Sequence, residues 1–176
     1  MRAASYTHTA KTLHWLIALL ILGLFCLGLY MADLRLSPLK LKLYSYHKWA
    51  GVTVFALALL RVCWRLRHQP PPLPVSQPLW QQRAAHAGHF LLYVLMLAAP
   101  LSGWLMSSAL GFQTVWFGVL PLPDLLDKNK ELGEGLKLLH RYLNYSFMVV
   151  VVGHVLAALK HQWIDRDGTL DRMLFR

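Results

Sequence analysis

The stretch that decides the fold reads LKLLHRYLNYSFMVVVVGHVLAAL, residues 136–159. It is long and apolar enough to cross the ~30 Å hydrocarbon layer of a bilayer as one helix. Two histidines, His140 and His154, interrupt it fourteen residues apart. At ~100° per residue that separation falls about 40° short of a whole number of turns, so both imidazoles leave one face, about 21 Å apart along the axis. An ionisable side chain at membrane depth is costly and marks a functional site by default. Two metal centres stacked across a membrane would need this arrangement.

Three further stretches of the same kind run roughly from Leu13 to Met31, Tyr46 to Leu66 and Ala84 to Ser108. With Leu136 to Leu159 they give an all-α expectation: an integral membrane four-helix bundle, one domain from 1 to 176, with function in or at the edge of the membrane. The composition agrees, because 56% hydrophobic and 15% charged residues is less charge than a soluble domain carries. The first span is read as a retained helix. Its apolar run is too long for a signal peptide, and Leu29 to Asp33 offers no small-x-small cleavage site.

The net charge of +10 raises nucleic acid as a partner, but the basic residues gather at span ends (Arg65, Arg67, Arg83, Lys160, Arg166), as lipid-facing anchors do. No soluble face interleaves aromatic with basic residues, which speaks against nucleic acid. Cys26 and Cys63 fall toward opposite membrane faces in neighbouring antiparallel helices, so no disulfide is expected. There is no Cys-x-x-Cys-His, so any haem would be held without thioether links. Four spans place both termini on one side. That side holds ten Lys and Arg, the other eight, and the positive-inside rule puts the termini in the cytoplasm.

Two connections are long. Gln69 to Leu79, with five prolines, reads as a stiff cytoplasmic strap. Gly111 to Gly135 reads as a cap on the opposite face, with a short interfacial helix. Pro100 is expected to bend the third span. Gly51 and Gly153 leave space beside His47 and His154, either for a flat macrocycle or for plain helix packing.

Depth pairs the histidines. His14 and His154 lie near the cytoplasmic face, His47 and His140 near the outer one. Each pair can offer a metal two imidazole nitrogens from opposite sides, as bis-histidine haem requires. Zinc or copper would want three or four converging ligands, usually with carboxylates or thiolates. The spans carry no acidic residue and the thiols lie away from the histidine layers, so haem is the better reading. His86 and His89 could orient a haem propionate, shape a quinone pocket or sit at the interface. His8 and His68 read as interfacial. His161 and Lys160 sit where a lipid-borne ligand could approach the inner pair.

Several segments carry a family resemblance: Leu13-His14-Trp15, His47-Lys48-x-x-Gly51, Ala85-His86-Ala87-Gly88-His89, Pro100-Leu101-Ser102-Gly103-Trp104, Leu139-His140 and Gly153-His154. The most specific is the tail, Ala158-Leu159-Lys160-His161 followed by Asp165-Arg166-Asp167-Gly168-Thr169-Leu170-x-Arg172-Met173. The chain resembles the bacterial cytochrome b561 family, related to the cytochrome b subunits of nickel-iron hydrogenases and formate dehydrogenases. The resemblance implies two haem b groups in the core of the bundle, with iron ligands on His14, His47, His140 and His154. It further implies a multi-pass inner-membrane protein passing electrons between the periplasmic face and ubiquinone. His161 matches the family's quinone-contacting histidine and is the candidate catalytic proton donor. Gln162 departs from the second histidine that many relatives carry there.

A compact member without a hydrogenase partner resembles superoxide oxidase, which moves an electron from superoxide to ubiquinone. Around the outer pair, Lys48, Lys137 and Arg141, with Lys40 and Lys42 nearby, would steer a small anion. They could equally balance haem propionates or snorkel to headgroups, and Asp124, Asp127, Glu131 and Glu134 dilute the field. The cofactor-binding set expected here is therefore the four ligand histidines with His89, Lys48, Arg141 and Lys160. The alternative reading is an electron-transfer subunit relaying electrons between a periplasmic protein and the quinone pool. A third, a haem-free channel or metal carrier, predicts a colourless protein. Pairing into a homodimer through lipid-facing apolar surface stays open.

Overall fold

A computed structural model describes residues 5–73 and 77–175. Among them, four helices are long and apolar enough to cross a membrane. These are α1 (His8–Asp33), α2 (Pro38–Arg67), α3 (Leu79–Ala109) and α4 (Lys130–Lys160). Polar caps set three of the starts. Thr7 Oγ1 accepts from the Ala10 amide, Ser37 Oγ from Lys40 with Pro38 in the first turn, and Asn129 Oδ1 from Leu132. The helices therefore outrun the expected spans of 13–31, 46–66, 84–108 and 136–159. Hydropathy marks the stretch that lipid covers, whereas the caps mark where the backbone stops needing outside partners.

Leu13, Ile17, Ala58, Leu95, Met96, Ala99 and Phe147 form the buried core. Elsewhere the helix surfaces are apolar and open, with Phe90 and Val149 each 72% exposed, a pattern that belongs against lipid rather than water. The main helix contacts are α3 with α4, α1 with α2, and α2 with α3, while α1 and α4 meet only slightly. That leaves a seam between α4 and the α1–α2 pair. The histidines line it.

The cap corrects one expectation. Instead of an interfacial helix it holds a small antiparallel hairpin, β1 (Val115–Trp116) with β2 (Leu120–Pro121). Phe117 and Gly118 both have positive φ, 50° and 73°, and Val119 N–H closes the turn onto the Trp116 carbonyl, a type I′ geometry that matches strand twist. The hairpin is tied to α2 about three turns into the helix. Trp49 Nε1–H donates to Val115 O, Trp116 Nε1–H to Trp49 O, and Lys48 Nζ to the carbonyls of Phe112 and Gln113.

At the other end α4 runs into a π-helical turn, His161–Asp165. Arg166 and Gly168, both at positive φ, then turn the chain back. The tail crosses the start of α1, where buried Lys11 donates through Nζ to Leu174 O at 2.7 Å and Trp15 Nε1–H to Met173 O. Arg172 reaches the Pro72 carbonyl in the strap, of which Pro74, Val75 and Ser76 lie outside the described residues. Cys26 and Cys63 are free and exposed, as expected.

Candidate functional site

The seam holds histidines at two levels. At the cap end the His47 and His140 rings lie 6.3 Å apart between centroids, with planes at 87°. At the tail end the His14 and His154 rings lie 6.2 Å apart, at 70°. A metal held ~2 Å from one nitrogen of each ring leaves ring centres roughly 6.3 Å apart, so both pairs have the spacing a shared iron needs. A third ring, His89, stands 5.5 Å from His154, too close for that.

The cap-end pair opens into an apolar cleft with about 460 Å³ of empty space including its mouth, walled by Ile21, Phe25, Val54, Met96 and Phe147. His140 is held firmly. Its Nδ1–H donates to Ala99 O at 3.0 Å, with Ser102 Oγ at 2.9 Å, and its Nε2 accepts from Asn144 Nδ2 at 3.3 Å. Glycines give the rings room. A Cβ on Gly103 would stand 3.0 Å from His140 Cε1, and one on Gly28 3.4 Å from His47 Cε1. Gly51 lines the cleft, and Cβ atoms added at Gly51 or Gly153 would meet nothing within 4 Å. His47 Nδ1 is buried without a hydrogen-bond partner, an uncompensated cost in apolar surroundings. Two imidazoles, apolar walls and glycine gaps suit haem; a zinc site would want further anionic donors.

The tail-end level is more basic. Arg61 donates to Ala10 O, and Arg61 and Arg65 both lie against the Tyr93 ring, at 5.9 and 5.5 Å from its centroid. His86 is exposed. His8 stacks on Phe175 and His68 on Trp64, which accounts for both as packed interfacial rings.

Beyond α4, His161 Nδ1 lies 2.8 Å from Asp167 Oδ2 and 3.0 Å from Asp165 Oδ2. With carboxylate acceptors on two sides, Nδ1 carries a proton. Asp165 shares the same oxygen with the Lys160 ammonium, which occupies the ligand position a cation would need. Asp167 is 6% exposed and accepts from the Gln77 amide at 2.8 Å and from Thr169 N–H at 2.9 Å. Burial alone would raise its carboxyl pKa. The hydrogen bonds from Thr169 and Gln77, with the His161 charge, outweigh that and hold it down to about 2.

Of the other residues expected at the site, Lys48 is tied into the cap carbonyls, Lys137 pairs with Glu134 at 3.1 Å, and Arg141 is exposed. Sequence reading gave no role to Asp167, Gln77, Ser102, Asn144, Gly28 or Gly103. Some signals were present: Asn144 sits one turn beyond His140, and Asp167-Gly168-Thr169 has the composition of a side-chain-closed turn.

Comparison with known proteins matches residues 5–176 to the prokaryotic cytochrome b561 family. Cytochrome b561 homolog 2 of Escherichia coli K12 is 37% identical over 171 residues, 96% of this chain and 90% of the relative. Cytochrome b561 homolog 1 of the same strain is 30% identical over 141 residues, 80% and 79% of the two chains. The probable superoxide oxidase CybB of Yersinia pestis is 29% identical over 173 residues, 92% and 91%.

Proposed function

The chain belongs to the prokaryotic cytochrome b561 family, haem b-binding membrane proteins that transfer electrons, and from that premise we propose a dihaem superoxide:ubiquinone oxidoreductase of the bacterial inner membrane. The observation that carries this reading is the pair of opposed imidazole couples, 6.2 and 6.3 Å apart, both with one ring on α4. His14 with His154 and His47 with His140 would each hold one haem b. Bound there, haem b would supply one-electron transfer.

The chain's own residues do the rest. Ala99 and Ser102 fix the His140 ring, and Gly28 and Gly103 admit the two cap-end imidazoles. Arg61, Arg65 and His89 offer positive or donor groups for propionates at the tail end. The cap end faces the periplasm, where Lys48 and Arg141 raise the local concentration of a small anion. The name of the Yersinia pestis relative agrees with that donor. Ubiquinone approaches the tail end from the lipid beside Lys160 and His161, and His161 supplies protons.

The test is an absorption spectrum of the purified oxidised protein while superoxide is generated enzymatically, with a dismutase control. Prompt b-type haem reduction, abolished by dismutase, is expected. A haem spectrum that stays oxidised moves the reading to an electron-transfer subunit with a protein donor. That second reading has its own support in the hairpin tip, where Phe117 and Val119 are 57% and 83% exposed. A protein with no haem band overturns both.

A further inference from the structure

His161 does not stand alone. The π-helical turn and the two positive-φ residues, Arg166 and Gly168, bring Asp167 back beneath the ring. Both carboxylate oxygens of Asp167 are taken: Thr169 N–H holds Oδ1, while Gln77 and His161 share Oδ2. Gln77 is itself buried, 6% exposed, and its backbone carbonyl accepts from Gln82. The carboxylate is therefore fixed by two parts of the chain, the strap and the tail, before it touches the imidazole. Asp165 offers a second oxygen, but from a more exposed side chain already shared with Lys160.

We propose that Asp167 is the positioning residue for His161, holding its Nδ1–H and so leaving Nε2 as the acid that protonates the reduced quinone. This rests on the reading of His161 as the quinone-site acid given above. In the balanced reaction two superoxide anions are oxidised to dioxygen while one quinone takes two electrons and two protons to become quinol. At each proton transfer the Nε2–H bond breaks, a quinone O–H bond forms, and the bonding pair stays on nitrogen. The neutral ring keeps its remaining proton on Nδ1 against Asp167, so Nε2 is the atom that water at the tail end reprotonates. Among the described residues the charged groups facing the ring are Asp165 and Asp167, with Lys160 behind Asp165. From the strap, the hydrogen-bonded side chain among the described residues is the neutral Gln77.

The experiment mixes chemically reduced holoprotein with a short-chain ubiquinone and follows reoxidation in the haem bands across about pH 5 to 9. It does not depend on superoxide as donor. Asp167→Asn is expected to slow reoxidation about 10- to 100-fold near neutral pH with haem content unchanged. Asp167→Asn also removes a negative charge 2.8 Å from Nδ1, so the alkaline fall in rate should move to lower pH. Asp167→Glu should restore much of the rate, and Asp165→Asn should move the profile less. A wild-type rate and profile in Asp167→Asn overturns the proposal. If Asp167→Asn does not retain haem, Gln77→Leu keeps the carboxylate and its Thr169 bond but removes the strap's hold on Oδ2. That variant must slow reoxidation with haem content unchanged, and a wild-type rate there overturns the proposal equally. His161→Ala separates the two levels. Slow reoxidation there beside a normal Asp167→Asn sinks only the role of Asp167, whereas a normal rate in His161→Ala sinks the quinone-site reading beneath it.

Discussion

The two ends of the seam hold rings at nearly the same spacing but are built differently. At the cap end two imidazoles meet in an apolar cleft. One ring is pinned by Ala99 and Ser102, glycines are fitted to both, and a hairpin is stapled to α2 beside them. At the tail end three imidazoles and two arginines converge beneath a cover made of the chain's N-terminal residues, its strap and its tail. The contacts closing that cover include side chains on backbone carbonyls, the Gln77–Asp167 hydrogen bond and the His8–Phe175 stack. An apolar, pinned site suits holding a group in one geometry without water. A charged cover suits a place where protons and a lipid-borne reactant come and go.

The sharpest way to break this contrast is to remove one ring. His140→Ala is expected to lose the cap-end haem and halve the haem-to-protein ratio, read by pyridine haemochrome assay; unchanged content would sink the pairing. At the tail end His14→Ala should lose a haem while His89→Ala keeps both, because the 5.5 Å His89–His154 spacing leaves no room for an iron between them. Equal losses in those two variants would show that three rings compete for one position.

Gly103→Ala brings a methyl to 3.0 Å from His140 Cε1 and should cost up to about 3 kcal/mol in haem retention under denaturant, whereas Gly28→Ala, at 3.4 Å, should cost less. An identical cost would mean that His140 is no more tightly seated than His47. The smallest effect concerns acid. Asp167 is held at about 2 when folded, below its ordinary unfolded value, so it contributes stability above that unfolded value that is lost as pH falls toward about 2. The contribution is on the order of 2 kcal/mol at neutral pH. Amide exchange should quicken in the tail and in the strap near Gln77 below about pH 4, ahead of the hairpin. Simultaneous loosening of both ends would remove the electrostatic distinction between them.

The four spans and the histidine levels were legible because both follow from counting: apolar length for the first, helical phase for the second. Helix ends were not, since Thr7, Ser37 and Asn129 act through single hydrogen bonds that an apolar window does not register. The hairpin was hidden because its turn depends on positive φ at Phe117, an aromatic residue that gives no turn signal of its own. His161 came from resemblance. The Asp167–Gln77 contact spans ninety residues and exists only after strap and tail have folded together, so no local pattern announces it.

Because α4 carries a ring of each pair and then His161, it works as a ruler whose graduations are angular as well as linear. One residue inserted between His140 and His154 would turn one ring ~100° from its present bearing on the other. Seven inserted residues would bring them to within ~20° of their present angular relation, at the cost of about 10.5 Å of extra separation. Point substitutions can retune either end alone, but the interval between the ends can change only in steps of about a turn, roughly four or seven residues at a time.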